Sequence, residues 1–181
     1  GAPYKKRPPR LSRYASARAV KIEMTPRSLR AMKRHAGRDY PYECCGFLVG
    51  RAEQAGASVR GDRKVVIEEA LPTENMNRER AHDRYEIHPL AYKRLEDSLT
   101  GTGREILGFY HSHPDHPSRP SVTDLEFFGG WPGYIYVIVG VDGKGHRPKG
   151  HRPEGRGKTK KYRVTAWSME EALEEHELVT G

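Results

Sequence analysis

The sequence predicts an α/β fold, with helices layered around a single sheet. Short apolar or alternating runs recur along the chain between clusters of Gly and Pro, and two longer stretches with helical spacing, opening at Pro26 and Pro89, fall among them. The length of 181 residues suits one domain with a substantial core and is short for two.

The elements follow in order. Residues 1–18 carry three prolines and many cations without apolar periodicity, and are expected to form a disordered or loosely docked basic arm. Val20, Ile22 and Met24 alternate with Lys21 and Glu23, as in a half-buried strand. Thr25 is an N-cap with Pro26 at the first helical position. Leu29, Met32 and Ala36 share one helix face, and Gly37 is expected to end the helix. Arg30, Lys33 and Arg34 read as the solvated side, with His35 also on the surface. A loop over 39–42 leads to Glu43 and then to a core strand containing Phe47–Val49. Residues 52–62 read as a turn into a hairpin partner at 64–70. Residues 72–83 show neither period, and Arg84–Ile87 reads as a short strand. His88-Pro89 opens a helix with Tyr92, Leu95 and Leu99 on one face, closing near Gly101. His82 and His88 fit no ligand pattern.

Ile106–Ser112 reads as the central buried strand, running into His111 and His113. Residues two apart on a strand face the same side, so both imidazoles can converge on one point. Pro114, Pro117 and Pro120 force an irregular loop, after which Ser121-Val-Thr-Asp124 starts a short helix able to carry Asp124 back to the histidines. Two His and one Asp suit a catalytic zinc with an open fourth position. A lone His-x-His is more often a solvent-facing strand end; the proline loop, Ser121 and Asp124 at this spacing shift the balance. His116 lies in the open loop and reads as a solvent or substrate contact. Residues 129–133 form a turn cluster, Tyr134–Val141 a buried strand and Tyr162–Trp167 a last strand. Residues 142–161 read as a mobile basic loop in which GHRP occurs twice. Residues 169–178 read as a terminal helix with Ala172 and Leu173 as its core contacts.

Charge is unevenly placed. The net charge is +8, yet residues 1–38 hold twelve Lys or Arg against Glu23 alone, and residues 144–163 hold nine against Glu154 alone. The rest of the chain has 11 basic and 22 acidic residues, so the body is acidic and a nucleic-acid role for the whole protein loses its footing. No stretch approaches the ~20 apolar residues of a membrane helix, and the basic N-terminus lacks the apolar segment of a signal peptide. The adjacent Cys44 and Cys45 are poorly placed to bridge each other and read as reduced, buried packing residues, which points to the cytoplasm.

The run HSHP, six further residues, Ser121, two residues and Asp124 resembles the signature of the JAMM (MPN+/Mov34) zinc metalloproteases without a gap. That family places a glutamate upstream, before a glycine-rich buried strand; Glu43, 68 positions before His111 and followed by CCGFLVG, fills this slot. The resemblance covers roughly residues 19–141 and implies a mixed sheet flanked by helices, with cytidine-deaminase-like layering. It implies a catalytic domain over 19–181, one catalytic Zn2+ on His111, His113 and Asp124, Glu43 as general base and Ser121 as a stabiliser of the oxyanion. The activity implied is hydrolysis of a peptide or isopeptide bond after the C-terminal glycine of a ubiquitin-like or sulfur-carrier protein. Only nine residues (125–133) separate Asp124 from the next strand, which is similar to the compact prokaryotic branch, such as CysO-cysteine peptidase and deubiquitinase-like isopeptidases. Two alternatives stand beside it: a metal-free interaction module, or a nucleic-acid-associated factor or nuclease acting through the basic arm. A nuclease would ordinarily need more carboxylates than Asp124 in the motif.

Overall fold

A computed structural model describes residues 20–54, 63–143, 160–169 and 172–181. The basic arm and most of the 142–161 loop therefore lie outside the described residues. The strands are β1 (Val20–Met24), β2 (Cys45–Gln54), β3 (Arg63–Thr73), β4 (Glu105–Pro114), β5 (Ile135–Asp142), β6 (Lys161–Met169), β7 (Leu173–His176) and β8 (Leu178–Thr180). They form one sheet in the order β7-β6-β5-β4-β2-β3-β1-β8. Pairings β1–β3, β1–β8 and β4–β5 are parallel and the others antiparallel, so the sheet is mixed, as the resemblance implied.

Helices cover both faces. Helix α1 (Pro26–Asp39) places Met32 and Ala36 against Ile22, Leu48, Ile67, Val137 and Val139 on one side. On the other side, α2 (Pro89–Leu99) and α3 (Val122–Gly130) enclose an aromatic cluster of Phe47, Phe109, Phe128, Tyr134 and Tyr136. Phe128 stacks on Tyr136 at 3.6 Å between ring centroids, which fastens α3 to β5.

One irregularity decides which face the two histidines occupy. Leu48 pairs with Gly108 but Val49 with Ile106, so β4 carries an extra residue at 107. Ile106 and Phe109 consequently share the aromatic side, while Leu107 and Tyr110 face α1. A regular strand would have kept His111 in phase with Leu107. The bulge puts His111 and His113 in phase with Phe109, on the α3 side. It requires a glycine, because a Cβ on Gly108 would sit 1.7 Å from the Ile135 carbonyl oxygen of β5. Gly108→Ala is expected to cost about 3 kcal/mol, at the upper end of overpacking effects, and to lower the urea midpoint accordingly. An unchanged midpoint would show that the β4–β5 register is not set there.

Several expectations are corrected. Helix α1 does not end at Gly37 but continues to Asp39. Gly37 is small for another reason: a Cβ there would lie 2.3 Å from the Tyr162 hydroxyl of β6. His35 is buried, not on the surface; it shares the apolar face with Ser28 and Met32, contacts the Tyr110 hydroxyl at 2.8 Å and pairs with Asp39 at 3.1 Å. Burial pushes its imidazole pKa down, with Asp39 opposing. Strand β2 runs on to Gln54, leaving the expected turn largely at residues outside the description. Arg84–Ile87 is not a strand, because its backbone is held by the Asn75 side chain and not by a ladder. The expected terminal helix is also absent. Residues 173–176 instead pair antiparallel with the β6 edge and residues 178–180 parallel with β1, so the open edges of the sheet outweigh helical propensity. Leu173 is exposed, and Leu178 supplies the core contact in its place.

Candidate active site

The site is built where the end of β4 meets the start of α3 and the residues preceding β2. Ser121 is the N-cap of α3, and its hydroxyl oxygen accepts from the Asp124 N–H at 3.1 Å. Asp124 completes the capping box by accepting from the Ser121 N–H through Oδ2 at 2.8 Å. This reciprocal cap turns the carboxylate of a first-turn residue inward, where it is buried. Its Oδ1 lies 3.1 Å from His111 Nε2 and its Oδ2 3.0 Å from His113 Nε2, while the two Nε2 atoms are 3.0 Å apart. His111, His113 and Asp124 are all buried, and their donor atoms lie within 4.8 Å of one another, close enough to hold a metal ion.

The hydrogen bonding tests whether a metal fits. His113 Nδ1 lies 2.7 Å from the Pro117 carbonyl oxygen, which can only accept, so Nδ1 carries the proton. In a neutral ring the Nε2 lone pair then faces Asp124 Oδ2, and two electron-rich atoms 3.0 Å apart need a cation or a proton between them. An Nε2 fixed in this way by a carbonyl on the other ring nitrogen is the usual second layer of a metal-bound histidine. The same contacts shift the three groups. Burial opposes charge on Asp124, but the two imidazoles and the Ser121 N–H hold its carboxyl well below the usual carboxylate range. Burial pushes His111 down, whereas His113, despite burial, is pushed up by Asp124 and the Pro117 carbonyl.

Glu43 reaches the same place by strand register. Cys45 pairs with His111, and the Ser112 N–H continues that pairing to the Cys44 carbonyl at 3.0 Å. Continued one step beyond the strand, that register would set Glu43 opposite His113 on the same face, and the charges of His113 and Asp124 act on its carboxyl. It is buried, its N–H donates to the Ala81 carbonyl at 2.6 Å, and its carboxyl pKa is pushed up to about 8. Burial is the main cause; Asp124 and Asp83 add to the rise, while His113 and Arg84 oppose it. Beside Glu43 opens a cleft of about 760 Å³ bordered by His35, Tyr42, Pro72, Asn75 and Ala81. Ser121 is solvent-exposed at the helix N-terminus.

The other sequence candidates stand apart. His116 is exposed, His82 is exposed, and His88 caps α2 by accepting from the Leu90 N–H at 3.0 Å. Cys44 and Cys45 are free and buried; burial pushes the Cys44 thiol up to about 12 and Cys45 further, so neither offers a thiolate nucleophile. Among the described residues, no helix is long and apolar enough to cross a membrane.

Two residues were missed. Tyr85 stacks on His111 with ring centroids 4.4 Å apart and packs against Phe127 at 5.4 Å. Asn75 donates to the Glu43 and Arg84 carbonyls. Asn75 lies in an irregular polar stretch where neither period marks it, and Tyr85 lies in the Arg84–Ile87 run that reads as a short strand. The Tyr85 hydroxyl is buried without a hydrogen-bond partner among the described residues. Tyr85→Phe keeps the stack and removes that polar atom, so stability is expected to rise by about 1 kcal/mol in urea denaturation. A clear loss of stability would reveal a partner for the hydroxyl.

Comparison with known proteins places this geometry. Residues 25–152 match the family described as prokaryotic homologs of the JAB domain, which is well over half of the chain. A desampylase of Haloferax volcanii is 33% identical over 109 residues, covering 60% of this chain and 70% of the relative. A probable TtuB-protein conjugate cleaving protease of Thermus thermophilus is 32% identical over 115 residues, covering 64% and 67%. A protein of Desulfitobacterium hafniense solved in solution shares the fold, with a TM-score of 0.65 at 22% identity over 88% of this chain and 92% of that one. On this match the chain belongs to the prokaryotic homologs of the JAB domain, the compact prokaryotic branch of the JAMM/MPN family.

Proposed function

We propose that this JAMM-type hydrolase is a zinc-dependent isopeptidase that cleaves after the C-terminal glycine of a ubiquitin-like or sulfur-carrier protein. The observation that carries the reading is the convergence of buried His111, His113 and Asp124 beside a buried Glu43. The names of the Haloferax and Thermus relatives, a desampylase and a probable TtuB-protein conjugate cleaving protease, support cleavage of a protein conjugate. His111 Nε2, His113 Nε2 and an Asp124 oxygen would hold the ion, an N2O donor set that suits zinc and leaves a coordination position open. When bound, zinc supplies Lewis-acid charge and lowers the pKa of a coordinated water toward ~7.

The chain's own groups carry the rest. The charge of a bound cation would favour the ionised form of Glu43, whose carboxylate then takes a proton from the attacking water and returns it to the departing amine, so one residue serves as base and then acid. Ser121 keeps its hydroxyl hydrogen while its oxygen accepts from the Asp124 N–H, and donates it to the carbonyl oxygen as that atom gains charge. Tyr85 and the aromatic cluster around Phe127 exclude water from behind His111. No protein nucleophile is needed, consistent with two thiols held neutral. An extended glycine tail is narrow enough to reach this depth, and the carrier's folded body would stay outside.

The test uses the zinc-loaded chain and ubiquitin-fold carriers joined through their C-terminal glycine either to a lysine side chain or to an α-amine. Masses of the products locate the cut. Cleavage after glycine, lost with a chelator and restored by zinc, is the expected result. Intact carriers in every arm would sink the reading.

A further inference from the structure

The geometry points to Asn75 as the positioning residue of the site, one amide that ties the backbone of Glu43 to the strap carrying Tyr85. This rests on the reading of Glu43 as base. Asn75 Nδ2 donates to the Glu43 carbonyl at 3.1 Å and to the Arg84 carbonyl at 2.9 Å. Its Oδ1 accepts from the Glu86 N–H at 3.0 Å and from the Asn77 N–H at 3.0 Å. Both amide hydrogens and both oxygen lone pairs are thus engaged. Three of the four bonds join segments that no ladder joins: residue 43, which precedes β2, and residues 84 and 86, which form no strand. Among the described residues, only the Met76 N–H, donating to the Glu86 carbonyl at 2.9 Å, ties the strap to the 75–77 turn independently of the amide.

The consequence lies in what each end carries. At one end is the carboxyl of Glu43, opposite His113 by register. At the other is the Tyr85 ring, stacked on His111 between Arg84 and Glu86. Asn75 therefore sets the distance between the base and the face of the site on which His111 is packed, while its four hydrogen bonds go to backbone and none to His111, His113 or Asp124. A side chain with this arrangement should govern turnover and leave metal binding alone. Aspartate cannot substitute, because a carboxylate accepts but does not donate to the Glu43 and Arg84 carbonyls.

The experiment compares zinc-loaded wild type, Asn75→Ala, Asn75→Asp, Glu43→Gln and the Asn75→Ala/Glu43→Gln double variant. The substrate is a ubiquitin-fold carrier linked through its C-terminal glycine to the lysine side chain of a fluorescent peptide. Asn75→Ala is expected to lower kcat ~10–100-fold, the usual range for outer-layer partners, with KM and zinc per chain unchanged. Hydrogen exchange at the Glu86 and Asn77 amides should quicken while β4 amides keep their protection. On the Glu43→Gln background the same change should add almost nothing, because two residues acting through one step are not additive. Asn75→Asp should match Asn75→Ala, and it carries the test if the alanine variant does not fold. A wild-type kcat in both Asn75 variants beside an inactive Glu43→Gln would overturn the inference and spare the function. Full multiplication of the two losses would mark Asn75 as merely structural, which also overturns it. A fully active Glu43→Gln would instead overturn the reading of Glu43, and this inference with it.

Discussion

Glu43→Gln is expected to abolish hydrolysis while leaving zinc binding intact and making the metal-free protein more stable. The activity loss follows from removing the proton acceptor, worth ~10²–10⁴ in rate for general acid–base catalysis. The stability gain follows from the titration. The Glu43 carboxyl has an ordinary value of 4.5 and is pushed up to about 8, mainly by burial. Between those values the unfolded chain ionises the group and the folded chain does not. Its cost to folding therefore begins near pH 4.5, grows with rising pH and levels off above about 8. At neutral pH this amounts to on the order of 3 kcal/mol, which a neutral amide of the same shape would not incur. Urea unfolding of chelator-treated wild type and variant at pH 5 and pH 8 checks it: the gap between them should widen with pH. A gap that narrows would mean that Glu43 is ionised and well solvated, and that burial does not poise it. On the proposed reading of Glu43 as base, its cost to the fold is a familiar exchange of stability for function.

Much of this site was legible because its geometry is local. Two histidines at strand spacing, three prolines and a capping sequence over Ser121–Asp124 are short-range features, and the structure brings His111, His113 and Asp124 together. The position of Glu43 was legible only through the family pattern, since its approach depends on the pairing of β2 with β4. What could not be read were effects of partners distant in sequence. The extra residue at 107 answers to the β2 register and to the Ile135 carbonyl, and alternation within β4 gives no sign of it. Residues 173–180 are acidic enough for a helix, yet two open sheet edges claim them. His35 is the instructive exception. It falls three residues after Met32 and seven after Ser28, so its burial was written in the helical period, and residue type outweighed position. Asn75 left no periodic trace, because its work is done by a polar side chain bonding backbone across a loop.

Asp124→Asn should fail in the opposite manner to Glu43→Gln: the protein folds, but the metal is lost and activity with it. Two roles of Asp124 separate here. As a cap, it accepts from the Ser121 N–H, and the asparagine Oδ1 can still do so, so α3 should persist. As the anionic member of the cluster, it faces both His111 Nε2 and His113 Nε2, and an amide cannot supply that charge. Zinc affinity should fall by at least about 100-fold, beyond what loss of an outer-layer partner costs, as read by competition with a chromophoric chelator. Circular dichroism should meanwhile match the wild type. The pair of variants then divides the site: one keeps the ion and loses the proton acceptor, and the other keeps the cap and loses the ion. If Asp124→Asn retained one zinc per chain at wild-type affinity, Asp124 would not be a ligand of the ion, and its carboxylate would serve only as the cap of α3 and the hydrogen-bond partner of the two imidazoles. If Glu43→Gln also lost zinc, Glu43 would be a ligand, and the proton would have to be taken elsewhere.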